Sequence, residues 1–150
     1  MTTKILAERE NRDQVELGTD LAPKFNEEGL IPCITVNAVD GEVLMLAWMN
    51  REALLQTLDS GKATYFSRSR NEIWVKGETS GRIQHVEQVL VDCDQDTLQL
   101  RVKPEEAGSC HRGYRTCFYR AISDHTTGKL EFLEEEPLFD PEQVYKKDKD

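Results

Sequence analysis

Short runs of β-branched and aromatic residues, separated by turn signals, predict strands more often than helices in this chain. The first two strands are predicted over 31–36 and 42–48. Asp40-Gly41 between them predicts a type I′ hairpin turn, in which both central residues adopt φ > 0. Later strands are predicted over 63–67, 72–76, 85–93, 98–102 and 118–123, with a turn at 70–71 and loops over 77–81 and 110–117. The pattern indicates an α+β fold, a mostly antiparallel sheet with one or two short helices.

One amphipathic helix is predicted over 51–60, between the second and third strands. Asn50 is a favourable N-cap residue, and Gly61 readily adopts the left-handed conformation that ends a helix. The apolar residues Leu54, Leu55 and Leu58 share one face. These signals define a short helix with clear ends.

The 150 residues fit a single domain. No apolar stretch has the length of a signal peptide core or approaches the roughly 20 residues of a membrane span, so a cytoplasmic protein without membrane contact is expected. Cytoplasmic cysteines rarely form disulfides. Clustering among the four cysteines of the chain therefore favours metal binding or catalysis.

The net charge of −9 argues against a nucleic-acid partner, because such binding depends on Lys and Arg that neutralise phosphates. Residues 61–120 differ from the rest, with 10 basic and 8 acidic side chains. This segment fits either an ordinary mixed surface or a pocket for a small anionic ligand. Its cations include Arg68, Arg70, Lys76, Arg82, Arg112, Arg115 and Arg120.

The loop over 77–81 contains Gly77, Thr79 and Ser80, and loops of this composition can present backbone N–H groups to an anion. Trp74 lies just before it and either stacks on a base or packs in the core. No Walker phosphate-binding motif is present in the sequence.

Three cysteines form a candidate zinc site. Six residues separate Cys110 from Cys117, and sixteen separate Cys93 from Cys110. Three thiolate ligands leave a fourth position of tetrahedral zinc for water, the arrangement of a catalytic site. The alternative is that all three are small buried apolar residues, which is the interpretation we favour for Cys33 in its apolar run.

Cys93 lies among three carboxylates, Asp92, Asp94 and Asp96, which repel one another unless a cation offsets them. An extended backbone would place the three aspartates on one face and Cys93 on the other. Carboxylates suit Mg²⁺, whereas a thiolate suits zinc. The alternative is an exposed acidic turn without a ligand. An EF-hand is excluded because the required Gly and Glu positions hold Thr97 and Lys103.

Two histidines are candidates for the general acid or base. His111 follows Cys110 directly, and His85 lies in a predicted strand near the same segments. Adjacency to a candidate zinc ligand favours His111.

Several segments, taken together and in order, resemble the phosphoribosyl-AMP cyclohydrolase family of histidine biosynthesis. They are 74–81 (WVKGETSG), 92–96 (DCDQD), 110–113 (CHRG) and 117–118 (CF), preceded by 29–32, 43–50 and 65–70. The resemblance covers 25–122, a catalytic domain, between a partly ordered polar segment over 1–24 and an acidic extension over 123–150 whose role is open.

The resemblance implies a homodimer that hydrolyses the N1–C6 bond of the purine ring in the small nucleotide 1-(5-phosphoribosyl)-AMP. It also implies one zinc per subunit at Cys93, Cys110 and Cys117, and Mg²⁺ at the three aspartates. Cys93 is then able to complete the zinc site across the dimer interface. Three thiolates make zinc-bound water less acidic than three imidazoles do, so nearby cations or hydrogen bonds to sulfur are expected to compensate.

Two other functions are compatible with some of these features. A structural zinc module would bind a macromolecule and unfold on chelation, but the net charge and the absence of paired C-x-x-C motifs argue against it. A zinc deaminase-like nucleotide hydrolase with another substrate would pair P-C-x-x-C with H-x-E, and neither motif occurs.

Overall fold

The computed structural model describes residues 5–104, 110–134 and 136–138. The elements in chain order are α1 (Arg12–Leu17), β1 (Leu30–Asn37), β2 (Val43–Asn50), α2 (Arg51–Ser60), β3 (Thr64–Ser67), β4 (Glu72–Val75), β5 (Val86–Val91), β6 (Leu98–Val102), β7 (Arg120–Asp124) and β8 (Lys129–Phe132). Among the described residues, no helix is long and apolar enough to cross a membrane.

A four-stranded sheet in the order β2-β1-β6-β5 forms the centre of the fold. β1 pairs antiparallel with β2 and parallel with β6, and β5 pairs antiparallel with β6. The prediction of an α+β fold with mostly antiparallel strands is thus confirmed. The parallel pair was not anticipated, because its two strands are joined by a long crossover that contains five other elements.

The two inner strands carry much of the core. Leu98, Leu100 and Val102 of β6 alternate with more exposed residues, and all three are at most 1% exposed. β1 contributes Ile31 and Cys33, both fully buried, which confirms the core position predicted for Cys33. Alternation with period two is what one buried face of a sheet requires.

α2 has the predicted bounds and caps. The Asn50 side chain accepts a hydrogen bond from the Ala53 backbone N–H at 2.8 Å, and Gly61 ends the helix at φ 74°. Leu54 is fully buried, while Leu55 and Leu58 pack against the same core at its margin. The helix therefore covers the core with the apolar face that the sequence indicates.

The turn between β1 and β2 differs from the predicted type I′ turn. Gly41 has φ 77°, but Asp40 is not among the described non-glycine residues with positive φ. The Asn37 side chain accepts from the Val39 N–H, and the Asp40 side chain accepts from the Glu42 N–H. These local hydrogen bonds stabilise a loop that is longer than a two-residue type I′ turn and that needs a left-handed residue only at Gly41.

Two small hairpins complete the fold, one formed by β3 and β4 and the other by β7 and β8. The second follows the predicted strand over 118–123, but its returning strand β8 was not predicted. All four residues of β8 are exposed, so it lacks the alternation that identifies a strand. Helix α1 buries only Val15 and likewise gave no amphipathic signal.

The loop after β4 depends on a glycine. At Gly77, φ is 87°, and an added Cβ would overlap the backbone atoms of Arg82 and Ile83. At Gly81, φ is 80°, but nothing lies within 4 Å of the Cβ position. The two glycines share the left-handed backbone, but only Gly77 has other backbone atoms packed against it. Comparing them separates the cost of a left-handed conformation from the cost of a steric clash.

We predict that Gly77→Ala lowers the free energy of unfolding by about 2 kcal/mol more than Gly81→Ala, because only the first substitution forces backbone apart. Both variants carry the cost of a left-handed alanine, about 1 kcal/mol. Urea denaturation of the two variants measures the difference, and equal losses would contradict the close approach at Gly77.

Candidate active site

The loop that carries Cys110 and Cys117 is fastened to β2. The Cys117 backbone N–H donates to the Leu44 carbonyl at 2.7 Å, and the Thr116 hydroxyl donates to the Val43 carbonyl at 2.8 Å. The Cys110 N–H also donates to the carbonyl of Tyr114 within the loop. Both cysteines are thereby held at one edge of the central sheet, Cys110 buried and Cys117 exposed.

The two thiols of this loop interact with each other. A hydrogen bond from the Cys117 side chain, the largest cause, lowers the pKa of Cys110 to about 6. The Arg112 backbone N–H donates to the Cys110 Sγ at 3.4 Å and lowers it further. The same contact, with burial, raises the pKa of Cys117. The pair is arranged to hold one negative charge and one proton near neutral pH.

Lys76 adds a positive charge next to this pair. Burial lowers the pKa of its ammonium group, while attraction to Cys117 and Cys110 acts in the opposite direction. Its Nζ lies 5.8 Å from the centroid of the Trp74 ring. The sequence includes Lys76 among the cations of a candidate anion pocket, and in the structure its charge interacts with the two thiols. It is a cation of the kind expected to compensate for several thiolates.

The three aspartates lie on a turn between β5 and β6, and one carboxylate oxygen from each lies within 4.8 Å of the others. The extended conformation predicted for 92–96 is wrong, although the three carboxylates do meet. The Asp92 side chain accepts from the backbone N–H groups of Asp96 and Thr97 at 3.0 and 3.1 Å, which bends the chain. Cys93 is exposed on this turn.

The carboxylates of the turn influence one another. A hydrogen bond with Asp96 lowers the pKa of Asp94, and the same hydrogen bond raises the pKa of Asp96. Opposite shifts of this kind are expected where carboxylates lie close together. Three oxygen donors at this spacing suit a hard divalent cation.

Cys93 lies apart from the other two candidate zinc ligands within one chain. It follows β5, one edge of the sheet, whereas Cys117 is bonded to β2, the other edge. Three strand spacings separate these edges by about 14 Å, against roughly 3.8 Å between thiolates on one zinc. Among the described residues, the only group of three potential metal ligands is the aspartate cluster.

Several residues that the sequence offers as candidate contacts for a small anionic ligand or its base interact with other side chains in the fold. Arg68 lies over the ring of Trp48 at 4.9 Å, Arg70 forms an ion pair with Glu72 at 3.3 Å, and Trp74 packs on Tyr65 with ring centroids 5.2 Å apart. Arg115 forms ion pairs with Glu42 and Glu134. Thr79 is exposed and Ser80 half-buried in the loop that begins at Gly77.

The two candidate histidines are both exposed. His111 lies in the thiol loop, and its charge is one of the influences that lower the pKa of Cys110. His85 forms an isolated backbone bridge with Lys62, on the chain just before β5. His111 is therefore on the loop that holds the thiol pair, whereas His85 belongs to the segment just before β5.

Sequence reasoning missed a buried polar network under the thiol loop. The Tyr65 hydroxyl donates to the Gln84 side chain at 2.7 Å and lies 2.7 Å from the Thr35 hydroxyl. Gln84 in turn donates to the Met45 sulfur at 3.3 Å. These residues come from distant parts of the chain, so spacing carries no signal for them. The available clue was Thr35, a polar residue inside the otherwise apolar strand β1.

An α+β domain with a thiol pair beside a lysine and three carboxylates on one turn offers the ligand types that metal-dependent hydrolytic enzymes use. The model of one protein family, phosphoribosyl-AMP cyclohydrolase, matches residues 45–119. That match contains the thiol loop, the aspartate turn and the loop after β4.

Similar curated proteins carry the same name. A phosphoribosyl-AMP cyclohydrolase of Rhodopseudomonas palustris (strain BisA53) is 50% identical over 136 residues, 89% of this chain and 92% of the relative. One of Caulobacter vibrioides (strain NA1000 / CB15N) is 48% identical over 125 residues, 83% and 90% respectively. One of Chlorobium chlorochromatii (strain CaD3) is 51% identical over 124 residues, 83% and 88%. The chain belongs to the phosphoribosyl-AMP cyclohydrolase family.

We predict that the metal-free protein forms one thiolate at unusually low pH. Because the pKa of Cys110 is depressed from 9.0 to about 6, its ultraviolet thiolate absorbance should rise as the pH increases through about 6. Cys110→Ala should abolish this transition. Cys117→Ala, which removes the donor, should move it toward higher pH. A titration with no thiolate below about pH 8.5, the ordinary range, would contradict the pairing.

Proposed function

We propose that this chain hydrolyses the N1–C6 bond of the purine ring in 1-(5-phosphoribosyl)-AMP, a step of histidine biosynthesis, with zinc held by Cys93, Cys110 and Cys117. The family to which it belongs supports the ring-opening reaction, hydrolysis of a cyclic amidine C–N bond. The observation that carries the proposal is the polarised thiol pair of Cys110 and Cys117 beside Lys76.

The donor chemistry of the pair fits zinc. A thiol whose pKa is about 6 is ready to ligate at neutral pH, since the thiolate is the form that binds metal. Zinc would supply a Lewis acid that makes water a nucleophile near neutral pH. Cys110 and Cys117 would hold it from one chain, together with Cys93.

Cys93 would come from a second copy of the chain. The sheet separates its own Cys93 from the thiol loop by about 14 Å, while an exposed position leaves Cys93 accessible to a partner. In a two-fold homodimer, a ligand given to the partner is also received from it, so two equivalent sites would form. The protein would then be a homodimer because its active sites require one.

Lys76 and the Arg112 backbone N–H would stabilise the thiolates electrostatically. A cation and an N–H donor to sulfur withdraw negative charge from the ligands, which offsets the weak acidity expected from a thiolate-rich site. His111 would transfer protons to and from the reacting ring, because it is an exposed imidazole on the loop that holds the thiol pair. His85, away from that loop, is the weaker candidate.

Asp92, Asp94 and Asp96 would bind Mg²⁺, which prefers oxygen ligands. The substrate phosphates would be bound by Arg68 and Arg70, with Arg115, Trp74 and the loop residues Gly77, Thr79 and Ser80 around the nucleotide. Guanidinium groups suit this role because they bind phosphate bidentately.

Substitution of the thiols tests the zinc site. Cys110→Ala should lose both zinc and turnover of 1-(5-phosphoribosyl)-AMP. The fall in turnover should exceed about 100-fold, the loss that is typical when a residue that only orients a metal ligand is removed. Cys33→Ala is the matched control, because burial raises the pKa of that thiol to about 12 and it should keep zinc and activity. Zinc content and the ultraviolet change on ring opening are the measurements. A fully active Cys110→Ala protein would refute the proposal.

Substitution of histidines tests proton transfer. His111→Ala should keep zinc but lose about 100-fold in turnover, the contribution of a general acid or base. His125→Ala, an exposed histidine in the turn between β7 and β8, is the control and should be unaffected. Equal activity of the two variants would remove His111 from the mechanism.

A further inference from the structure

Gln95 occupies an unusual position on the aspartate turn. It lies between Asp94 and Asp96 at the surface, yet its own side chain is only 4% exposed. Its backbone has φ 57°, a left-handed conformation that costs a non-glycine residue roughly 1 kcal/mol. Strain of this size persists where surrounding contacts determine the conformation.

Those contacts all lead to the N-terminal segment. The Gln95 Oε1 accepts from the Ala22 N–H at 2.9 Å, and its Nε2 donates to the carbonyls of Val15 and Asp20 at 3.0 and 3.2 Å. The Gln95 carbonyl accepts from the Lys24 N–H at 2.7 Å. One residue of the turn is thus bonded to four positions between 15 and 24.

The N-terminal segment is itself packed on the rest of the fold. Leu6, Val15 and Ala22 are at most 6% exposed. The Ala7 N–H donates to the Leu21 carbonyl, and the Arg9 guanidinium donates to the Ala22 carbonyl, both at 2.7 Å. It therefore gives Gln95 a fixed set of partners.

The hydrogen bonds between Gln95 and the N-terminal segment also affect where the neighbouring carboxylates point. With the Gln95 side chain directed inward and its φ positive, Asp94 and Asp96 on either side are turned toward Asp92. The Gln95 N–H also donates to the Asp92 carbonyl at 3.1 Å, which closes the turn. Hydrogen bonds within the turn bend the chain, and the side-chain bonds of Gln95 add partners outside the turn that hold a glutamine in the left-handed conformation.

We propose that Gln95 is a positioning residue for the divalent cation: by tying the turn to the N-terminal segment, it sets the spacing of the three carboxylates. This inference rests on the proposed function, in which the turn binds Mg²⁺. Substitution of a residue that orients a metal ligand without binding the metal commonly weakens metal affinity by roughly 10–100-fold.

Binding of Mn²⁺, which prefers oxygen ligands, to the zinc-loaded protein tests the proposal by electron paramagnetic resonance. Gln95→Ala and Gln95→Gly should each weaken Mn²⁺ binding by about tenfold or more. The glycine variant removes the side chain without backbone strain, so it isolates the hydrogen bonds. It also keeps the test available if the alanine variant folds poorly. Circular dichroism of each variant checks folding.

Gln14→Ala is the matched control. This glutamine also bonds to the backbone of the N-terminal segment, at Glu8 and Glu10, but it does not contact the turn. It should bind Mn²⁺ as the wild type does. Unchanged binding by Gln95→Gly would overturn the role of Gln95 alone. Unchanged binding by Asp94→Asn would instead overturn the cation site, and with it the role of Gln95 there.

Discussion

The order of strands in the central sheet is the constraint on which the candidate active site depends. The strand order β2-β1-β6-β5 places the thiol loop at one edge of the sheet and the aspartate turn, with Cys93, at the other edge. The parallel pairing of β1 with β6 creates this order, because it joins the β1–β2 pair to the β6–β5 pair and leaves β2 and β5 on the outside. Within one chain, Cys93 is therefore separated from the thiol loop, and the proposed three-thiol site would need a second copy to complete it.

Residues other than the candidate ligands hold each of these two segments in place. Hydrogen bonds to Val43 and Leu44 hold the thiol loop against β2, and Lys76 balances the charge of its thiols. On the opposite edge, Gln95 joins the aspartate turn to the N-terminal segment. In both places, hydrogen bonds from residues other than the candidate ligands hold the backbone of the segment in place.

Local signals predicted local structure well. The bounds and caps of α2 follow from Asn50 and Gly61, whose effects act within one turn of the helix. The sequence also brought Asp92, Asp94 and Asp96 together, but through strand alternation, whereas the Asp92 side chain in fact caps a turn. The role of Gln95 could not be predicted, because Ala22 lies 73 residues away along the chain. The separation of Cys93 from the thiol loop likewise depends on strand order, which spacing does not encode.

The most direct test of the shared site is subunit complementation. Cys93→Ala and Cys117→Ala proteins are each expected to be inactive on 1-(5-phosphoribosyl)-AMP, since every site in either homodimer lacks a thiol. After equimolar mixing and subunit exchange, one of the two sites in each mixed dimer regains all three thiols, so turnover should return to about a quarter of the wild-type value. Mass spectrometry establishes that exchange has occurred. Mixed dimers that remain as inactive as the separate variants would contradict a zinc site built from two chains.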